Sequence, residues 1–328
     1  MKAVLVREFG AIGSAKIEVV PNPVPKSNEV LVEIALAPAN FVDTLVLEGK
    51  YQFLPERPFV PGKGPVGTIS QVGDAVSGFK VGDRVLAMAE QGGYAQAVRV
   101  DHEQCYRLPD TMSFEAAACL SLAYDTAWFA LMERGRLQAG ETVLVLGATG
   151  AVGNAAVQLA RAKGAKVIAA VSSLPKAQQC IDSGAHHVID LSGSDLRDRL
   201  RNEVQALTDG KGADIVIDPL GGDIFDAAIR AVAWRGRYVV IGFAAGKIPI
   251  VKINYVLLKN IEISGLQISD YRKRTPQLAR ACFEDIFDLH TRGKIKPGPI
   301  ARFALEDYAS ALNGLLNRTV LGRAVLKP

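Results

Sequence analysis

The sequence predicts an α/β protein in which a β-rich segment is interrupted by a doubly wound parallel sheet covered by helices. From residue 141 onward, apolar runs that suit strands alternate with helix-like stretches. These runs are apolar on both faces, which is typical of a buried parallel sheet. Before residue 122, short apolar runs are separated by Pro and Gly clusters, which is typical of strands joined by turns.

The elements expected along the chain follow from these runs. In the first segment, strands are expected at 3–6, 30–35, 67–72 and 84–87, followed by a helical stretch at 114–134. The parallel sheet is expected at 142–146, 166–171, 187–191, 213–217, 237–241 and 261–268. A long helix at about 272–292 and a strand at 322–327 close the chain. The predicted domains are therefore 1–122, completed by 260–328, and 123–259.

Composition limits the kind of protein. A length of 328 residues suggests two domains at ~150 residues each, and 49% hydrophobic with 22% charged residues suits a large buried core. The net charge of +4, from 38 basic and 34 acidic residues, is too balanced for a nucleic-acid surface. The four cysteines are widely spaced and form no CxxC pair, which predicts reduced thiols rather than a disulfide framework.

No segment predicts export or membrane insertion. The N-terminal apolar run at 3–6 is too short for a signal peptide. The longest uncharged window, 142–160, contains three glycines with Asn154 and Gln158, and it changes period partway. It is better explained as a strand, a turn and a helix, so we expect a cytoplasmic protein without a membrane partner.

The strongest local motif is a glycine turn between the first strand of the parallel sheet and the helix that follows. It consists of Gly147, Ala148, Thr149, Gly150, Ala151, Val152 and Gly153. Gly150 and Gly153 hold the last two glycine positions of the GxGxxG fingerprint, and Ala148 stands at the first. A small residue there still lets the backbone approach a pyrophosphate at the helix N-terminus. An ordinary βα turn is the alternative, but the strand–turn–helix context favours a dinucleotide site.

The end of the second strand of that sheet favours NADP(H). An NAD site normally has an acidic residue there, about 20 residues beyond the glycines, that binds the ribose 2′-hydroxyl. No acidic residue occurs between Lys166 and Ile181. Ser172, Ser173 and Lys176 instead offer hydroxyls and a cation for a 2′-phosphate. In the alternative interpretation, Lys176 only caps or solvates the next helix.

A set of short motifs, none specific alone, extends over nearly the whole chain. They are Asn40-Phe-Val-Asp43-Thr44, Pro61-Gly62 with Gly67, Gly82-Asp83-Arg84-Val85, Gly93-Tyr94-Ala95, Thr126-Ala127, the glycine turn and Gly322-Arg323-Ala324-Val325. Together they resemble the quinone oxidoreductase (zeta-crystallin-like) branch of the medium-chain dehydrogenase/reductase superfamily. The resemblance implies a GroES-like β-barrel domain, a Rossmann domain, and an active cleft between them.

The resemblance also implies the residues of the site. Asn40 and Tyr51 would line the substrate site beside the nicotinamide, and Thr126 would help to position it. Asn40 would donate a hydrogen bond to the acceptor oxygen as charge develops there. The structural alternatives are a turn residue for Asn40, a surface aromatic for Tyr51 in the loop 49–58, and a helix cap for Asp43.

Further cofactor contacts are implied at the carboxyl ends of the later strands, where open α/β sheets bind ligands, and near the C-terminus. They are Leu220, Gly242, Phe243, Ala244, Gly265, Leu266, Gln267 and Arg323. For Phe243 and Leu266, a place in the hydrophobic core is an equal alternative.

The zinc ligands of the superfamily's zinc-dependent members are missing from this sequence. The chain has no Cys or His before residue 101. At the position where the zinc-dependent members have the motif Gly-His-Glu, this chain has Gly62-Lys63-Gly64. A catalytic zinc needs at least three protein ligands, so the sequence predicts no metal. Without a metal, hydride transfer from a nicotinamide to an already electrophilic acceptor is the natural reaction.

Three functions follow from these features. The first is an NADPH:quinone reductase. The second is an NADPH-dependent enone or enoyl-CoA reductase, in which Arg272-Lys273-Arg274 would hold a CoA phosphate unless it is a solvated helix start. The third is an NADPH-binding structural or regulatory protein without useful turnover. In each case, the apolar strand at 261–268 is expected at the sheet edge, where pairing with a twofold copy would make a homodimer.

Overall fold

The computed structural model describes the whole chain, Met1–Pro328, and divides it into two compact units. The first unit comprises Met1–Leu122, Arg272–Phe287 and Pro297–Pro328. The second comprises Ala123–Tyr271 and Asp288–Lys296.

Fifteen strands and eleven α-helices make up these units. In chain order the strands are β1 (Lys2–Leu5), β2 (Lys16–Val19), β3 (Glu29–Pro38), β4 (Val66–Val72), β5 (Arg84–Ala87), β6 (Ala97–Asp101), β7 (Cys105–Arg107), β8 (Thr142–Leu146), β9 (Lys166–Val171), β10 (His187–Asp190), β11 (Ala213–Asp218), β12 (Val232–Val240), β13 (Glu262–Gly265), β14 (Ile300–Ala304) and β15 (Arg323–Lys327). The helices are α1 (Phe41–Leu47), α2 (Phe114–Cys119), α3 (Leu122–Trp128), α4 (Ala151–Ala162), α5 (Ala177–Asp182), α6 (Leu196–Ala206), α7 (Gly222–Ala228), α8 (Asn254–Lys259), α9 (Ile268–Arg274), α10 (Pro276–Thr291) and α11 (Tyr308–Leu316).

The first unit is built on a seven-stranded sheet and a separate β1–β2 hairpin. The sheet order is β14-β15-β3-β4-β5-β7, and β6 also pairs with β3. The ten-residue strand β3 is the centre, because it pairs antiparallel with β4, β6 and β15. Its alternating apolar residues, among them Val30 and Val32, are fully buried and anchor the core of this unit.

The second unit contains a six-stranded sheet in the order β10-β9-β8-β11-β12-β13, with every pair parallel. The apolar residues of the central strand β8 are buried on both faces, which explains its continuous hydrophobic run. The predicted doubly wound sheet is therefore confirmed. Its strand order reverses between β8 and β11, and open α/β sheets bind ligands at the carboxyl ends beside such a reversal.

Three expected elements differ in detail. Strand β13 pairs with β12, so the second unit continues beyond Lys259, where the sequence analysis places the boundary. The long helix expected at 272–292 is instead α9 and α10, because Pro276 has no N–H with which to continue α9 and suits the first position of α10. The stretch 114–134 contains α2, α3 and a π-helical turn at Phe129–Arg134 rather than one helix.

None of the helices in Met1–Pro328 is both long enough and apolar enough to cross a membrane.

Candidate functional site

The glycine turn connects β8 to α4 in a conformation that requires glycine at two positions. Gly147 has φ +61°, and a Cβ added to Gly153 would lie 2.3 Å from the Gly147 carbonyl oxygen. The helix therefore approaches the turn more closely than any side chain would allow. Gly150 is the N-cap of the twelve-residue helix α4, so no capping side chain satisfies the first N–H groups. These groups suit an anion.

The other residues of the turn differ in exposure. Ala148 is fully buried, and its N–H donates to the Ala170 carbonyl oxygen of β9 at 3.1 Å. Thr149 and Val152 are half-buried, whereas Gly150 and Ala151 are exposed. The exposed part of the turn thus coincides with the start of the helix.

The residues after β9 present polar groups to solvent. Ser172 and Lys176 are exposed and Ser173 is half-buried, and Leu174–Lys176 forms a 3-10 helix. Neither hydroxyl makes a side-chain hydrogen bond to residues 1–328, and the ammonium of Lys176 forms no ion pair with them. The three side chains are therefore available to a ligand.

A buried carboxylate fixes the loop that follows β11. Asp218 accepts hydrogen bonds from the backbone N–H groups of Leu220 (2.8 Å) and Gly221 (2.9 Å) and from the Tyr238 hydroxyl (2.8 Å). Burial raises the pKa of Asp218, and these three hydrogen bonds lower it. The loop places Leu220 against Gly147, where an added Cβ would meet its side chain at 3.0 Å. The two βα turns at the strand-order reversal are thus in contact.

Backbone hydrogen bonds connect the loop after β12 to the loop after β11. The Ala244 N–H donates to the Pro219 carbonyl oxygen at 3.0 Å, and the Gly222 N–H donates to that of Lys247 at 2.9 Å. Phe243 is 42% exposed, which excludes the core alternative for this residue. The loop that contains Gly242, Phe243 and Ala244 therefore packs beside the end of β11.

The segment after β13 lies at the same carboxyl-terminal edge of the parallel sheet. Gly265 is exposed, and the N–H of Leu266 donates to the Val240 carbonyl oxygen of β12 at 3.0 Å. The Gln267 side-chain oxygen accepts from the N–H of Ser269 at 2.7 Å, at the start of α9. Leu266 and Gln267 are half-buried.

In the first unit, hydrogen bonds fix both ends of the Asn40 side chain. Its Oδ1 accepts from Arg323 Nη2 at 3.0 Å, and its Nδ2 donates to the carbonyl oxygens of Pro38 (3.2 Å) and Lys63 (3.3 Å). Only 4% of Asn40 is exposed. Arg323, which the resemblance implies as a cofactor contact, thus lies in the first unit against Asn40.

The Asp43 carboxylate binds the backbone of Asn40. Its Oδ2 accepts from the Asn40 backbone N–H at 2.9 Å and from the Tyr94 hydroxyl at 2.8 Å, and it caps α1 as the structural alternative expects. Burial raises its pKa to about 6, although the charge of Lys63 and these hydrogen bonds lower it.

Lys63, Glu90 and Arg272 form an ion cluster near these residues. Glu90 Oε2 lies 2.5 Å from Lys63 Nζ, and its Oε1 lies 3.1 Å from Arg272 Nη1. The Lys63 and Arg272 side chains are 8% and 1% exposed. Arg272 is therefore not part of a solvated helix start, because it is buried in the last turn of α9. Sequence reasoning missed this cluster, and no local signal distinguishes these charges from surface ones.

The remaining predicted catalytic residues lie in different units. Tyr51 is half-buried in the first unit, with its ring 6.3 Å from that of Phe53 and 5.8 Å from Lys63 Nζ. Thr126 is 7% exposed in α3 of the second unit, and its hydroxyl lies 3.4 Å from an Asp125 carboxylate oxygen. The structure thus brings Asn40 and Tyr51 together around Lys63, and it places Thr126 in the unit of the glycine turn.

Two protein families match the chain. Residues 26–110 match the alcohol dehydrogenase GroES-like domain, which confirms the fold expected for the first unit, and residues 151–284 match the zinc-binding dehydrogenase family. Although the second family is described by zinc, residues 1–328 contain no group of three or more His, Cys, Asp or Glu side chains that could hold a metal ion.

Individual relatives match over almost the whole length. The chain is 37% identical to a quinone oxidoreductase-like protein 2 homolog of Nematostella vectensis, covering 92% of this chain and 82% of that protein. It is 33% identical to a quinone oxidoreductase of Mus musculus, with 97% and 94% covered.

Solved structures match equally well. That of Escherichia coli quinone oxidoreductase complexed with NADPH superimposes with a TM-score of 0.91 at 28% identity, covering all of both chains. That of CurK enoyl reductase superimposes with a TM-score of 0.88 at 27% identity, covering 99% of this chain and 98% of that one.

The buried Asp43 carboxyl predicts a specific pH dependence of stability. Its pKa is raised from 3.8 to about 6 on folding, so the native state keeps a proton that the unfolded chain releases. The stabilisation is present below about pH 4 and is lost as the pH rises through 6. Relative to Asp43→Asn, the wild type should therefore lose about 3 kcal/mol of unfolding free energy between pH 4 and 7.5, at 1.36 kcal/mol per pKa unit.

Urea unfolding of both proteins across this pH range measures the difference. Asp74→Asn, at an exposed position after β4, is the matched control and should run parallel to the wild type. Parallel curves for Asp43→Asn and the wild type would show that Asp43 is ionised at the same pH in both states.

Proposed function

Because the chain belongs to the quinone oxidoreductase branch of the medium-chain dehydrogenase/reductase superfamily, we propose that it is an NADPH-dependent quinone reductase. It would reduce a quinone or a similar electrophilic acceptor without a metal. The observation that carries the proposal is the glycine turn of 147–153, which opens α4 with uncapped N–H groups beside the strand-order reversal. The Escherichia coli relative, which binds NADPH, supports the choice of cofactor.

The second unit would bind the cofactor through its backbone and three polar side chains. Bound NADPH supplies a hydride to the acceptor. The N–H groups at the start of α4 would hold the pyrophosphate, while Ser172, Ser173 and Lys176 would hold the 2′-phosphate. Further proposed contacts are Leu220, Gly242, Phe243, Ala244, Gly265, Leu266, Gln267 and Arg323.

The catalytic residues proposed are Asn40, Tyr51 and Thr126. Asn40 is held at both ends of its amide, so its orientation is fixed before an acceptor binds. The Tyr51 ring offers an apolar face on which a flat acceptor would stack. Thr126 would position the nicotinamide.

A second candidate is an NADPH-dependent enone or enoyl-CoA reductase, which the similarity to CurK enoyl reductase favours. The basic run 272–274 gives this candidate less support than the sequence suggests, because Arg272 is buried against Glu90 and only Lys273 and Arg274 are exposed. The third candidate is NADPH binding without turnover.

A panel of acceptors distinguishes these candidates. We expect the purified protein to oxidise NADPH fastest with a quinone, more slowly with a 2-alkenal and least with an enoyl-CoA, and to keep its rate in the presence of a chelator. Preference for the enoyl-CoA would favour the second candidate. NADPH binding without any oxidation would favour the third, and loss of activity with chelator would contradict metal-free turnover.

Lys176→Ala should weaken NADPH binding and leave NADH binding nearly unchanged. One charge-assisted hydrogen bond to a phosphate contributes roughly 1.5–3 kcal/mol, so the loss should be about 10–100-fold. Titrations of both cofactors by quenching of protein fluorescence measure it. Lys211→Ala, exposed in the same unit, should bind both as the wild type does. Equal losses for both cofactors, or a wild type that prefers NADH, would contradict the phosphate site.

We also propose that the chain forms a homodimer through the edge strand β13 and the neighbouring apolar segment. Strand β13 ends the six-stranded sheet, and the side chains of Ile250, Ile253, Leu257 and Leu258 are 72–86% exposed. Such a surface is typical of a covered interface. Sedimentation should give twice the chain mass of 35.0 kDa, and Ile250→Glu should shift it toward the monomer. A wild-type monomer at micromolar concentration would contradict this.

A further inference from the structure

Lys63 contacts two of the proposed catalytic residues, Tyr51 through its ammonium group and Asn40 through its backbone, and none of the roles above uses the ammonium. Its Nζ is 5.8 Å from the centre of the Tyr51 ring, and its carbonyl oxygen accepts from Asn40 Nδ2 at 3.3 Å. Only 8% of the side chain is exposed. A cation held this deep, beside an aromatic ring, is placed to act on a ligand bound there.

One N–H group of the Lys63 ammonium is available to a ligand. An ammonium has three N–H groups, and Glu90 accepts two of them, through Oε2 at 2.5 Å and its carbonyl oxygen at 3.0 Å. The third has no acceptor within residues 1–328. Asn40 differs, because both hydrogens of its Nδ2 already go to the carbonyl oxygens of Pro38 and Lys63. Of these two polar side chains, Lys63 is therefore the one with a proton available.

Glu90 positions Lys63 and also binds a second buried cation. Its carboxylate lies 3.1 Å from Arg272 Nη1. The other charged or titratable groups that face Lys63 are Asp43, whose pKa its charge lowers, and Tyr51. The ammonium group lies in a largely dry place, where its effect on a developing charge is large.

We propose that Lys63 binds the carbonyl oxygen of the acceptor and stabilises the negative charge that reduction leaves on it. This inference rests on the proposed reductase function and names the residue that stabilises the oxyanion in that reaction. Bound NADPH would supply the hydride, a C–H bond would form on the acceptor, and a π-electron pair would move onto the carbonyl oxygen. Lys63 donates its third N–H to this oxyanion and then transfers the proton, and water reprotonates the amine.

The surroundings also indicate the class of acceptor. The Tyr51 and Phe53 rings lie 6.3 Å apart in an edge arrangement, and Phe53 is 57% exposed. They form an aromatic surface beside the cation, which suits a flat conjugated molecule whose oxygen reaches Lys63. Quinones and conjugated enones have this shape, whereas saturated ketones and aldehydes do not.

The test uses Lys63→Met on the full chain, with Lys80→Met as an exposed control in the same unit. Glu90 keeps Arg272 as a partner in this variant. The probe is 4-nitrophenol, whose phenolate resembles the oxyanion and has its own absorbance band. Binding to the wild type, with NADP⁺ present, should increase the ionised fraction of the probe at fixed pH, and Lys63→Met should abolish this increase. Lys63→Arg should retain part of it.

The kinetic expectation is a fall of about 10²–10³-fold in kcat/KM for a quinone, as for the loss of one oxyanion donor, with NADPH affinity unchanged. Equal probe ionisation in the wild type and Lys63→Met would overturn the proposal, whatever happens to the rate. A wild type that ionises the probe but never oxidises NADPH would instead contradict the proposed function.

Discussion

The geometry of the first unit depends on one buried carboxylate. Asp43 is 1% exposed, and it accepts from the backbone of Asn40 and from the hydroxyl of Tyr94. A buried carboxylate is tolerated only when hydrogen bonds compensate its lost hydration. This pairing fixes where α1 begins and therefore where the Asn40 side chain points. Asn40 in turn binds the Lys63 backbone and Arg323, so the arrangement around Lys63 follows from Asp43.

The second unit repeats this arrangement with different residues. Asp218 accepts from the Tyr238 hydroxyl at 2.8 Å, the same distance as Asp43 from Tyr94, and from two backbone N–H groups of the loop after β11. In both units a buried acid and a buried tyrosine hold a turn that carries proposed ligand contacts. Rigid turns of this kind reduce the entropy lost when a ligand binds.

Much of the second unit could be predicted from the sequence. The bounds of β8 and β9 agree with the predicted runs, because a strand buried on both faces is continuously apolar. The glycine turn was equally visible, since glycine is required where backbone meets backbone. The break before Pro276 was missed because the apolar pattern continues on both sides of it. The place of β13 in the sheet is set by its pairing with β12, a long-range contact that no local window contains.

The ion cluster marks the limit of sequence reasoning. Lys63, Glu90 and Arg272 are distant in sequence, and each resembles a surface charge until the fold brings them together. Arg272 stands in a basic run whose other members are exposed, so burial distinguishes it where composition does not. Asn40 and Tyr51 came instead from a family resemblance, and the structure adds Lys63, whose backbone contacts Asn40 and whose ammonium lies near the Tyr51 ring.

A crystal structure of the chain with NADPH bound would show directly where the cofactor and its 2′-phosphate lie. We expect the pyrophosphate at the N–H groups that open α4, with the 2′-phosphate within hydrogen-bond distance of Ser172, Ser173 or Lys176. A cofactor bound away from the glycine turn would contradict it. So would a 2′-phosphate that faces solvent with none of these three side chains in contact.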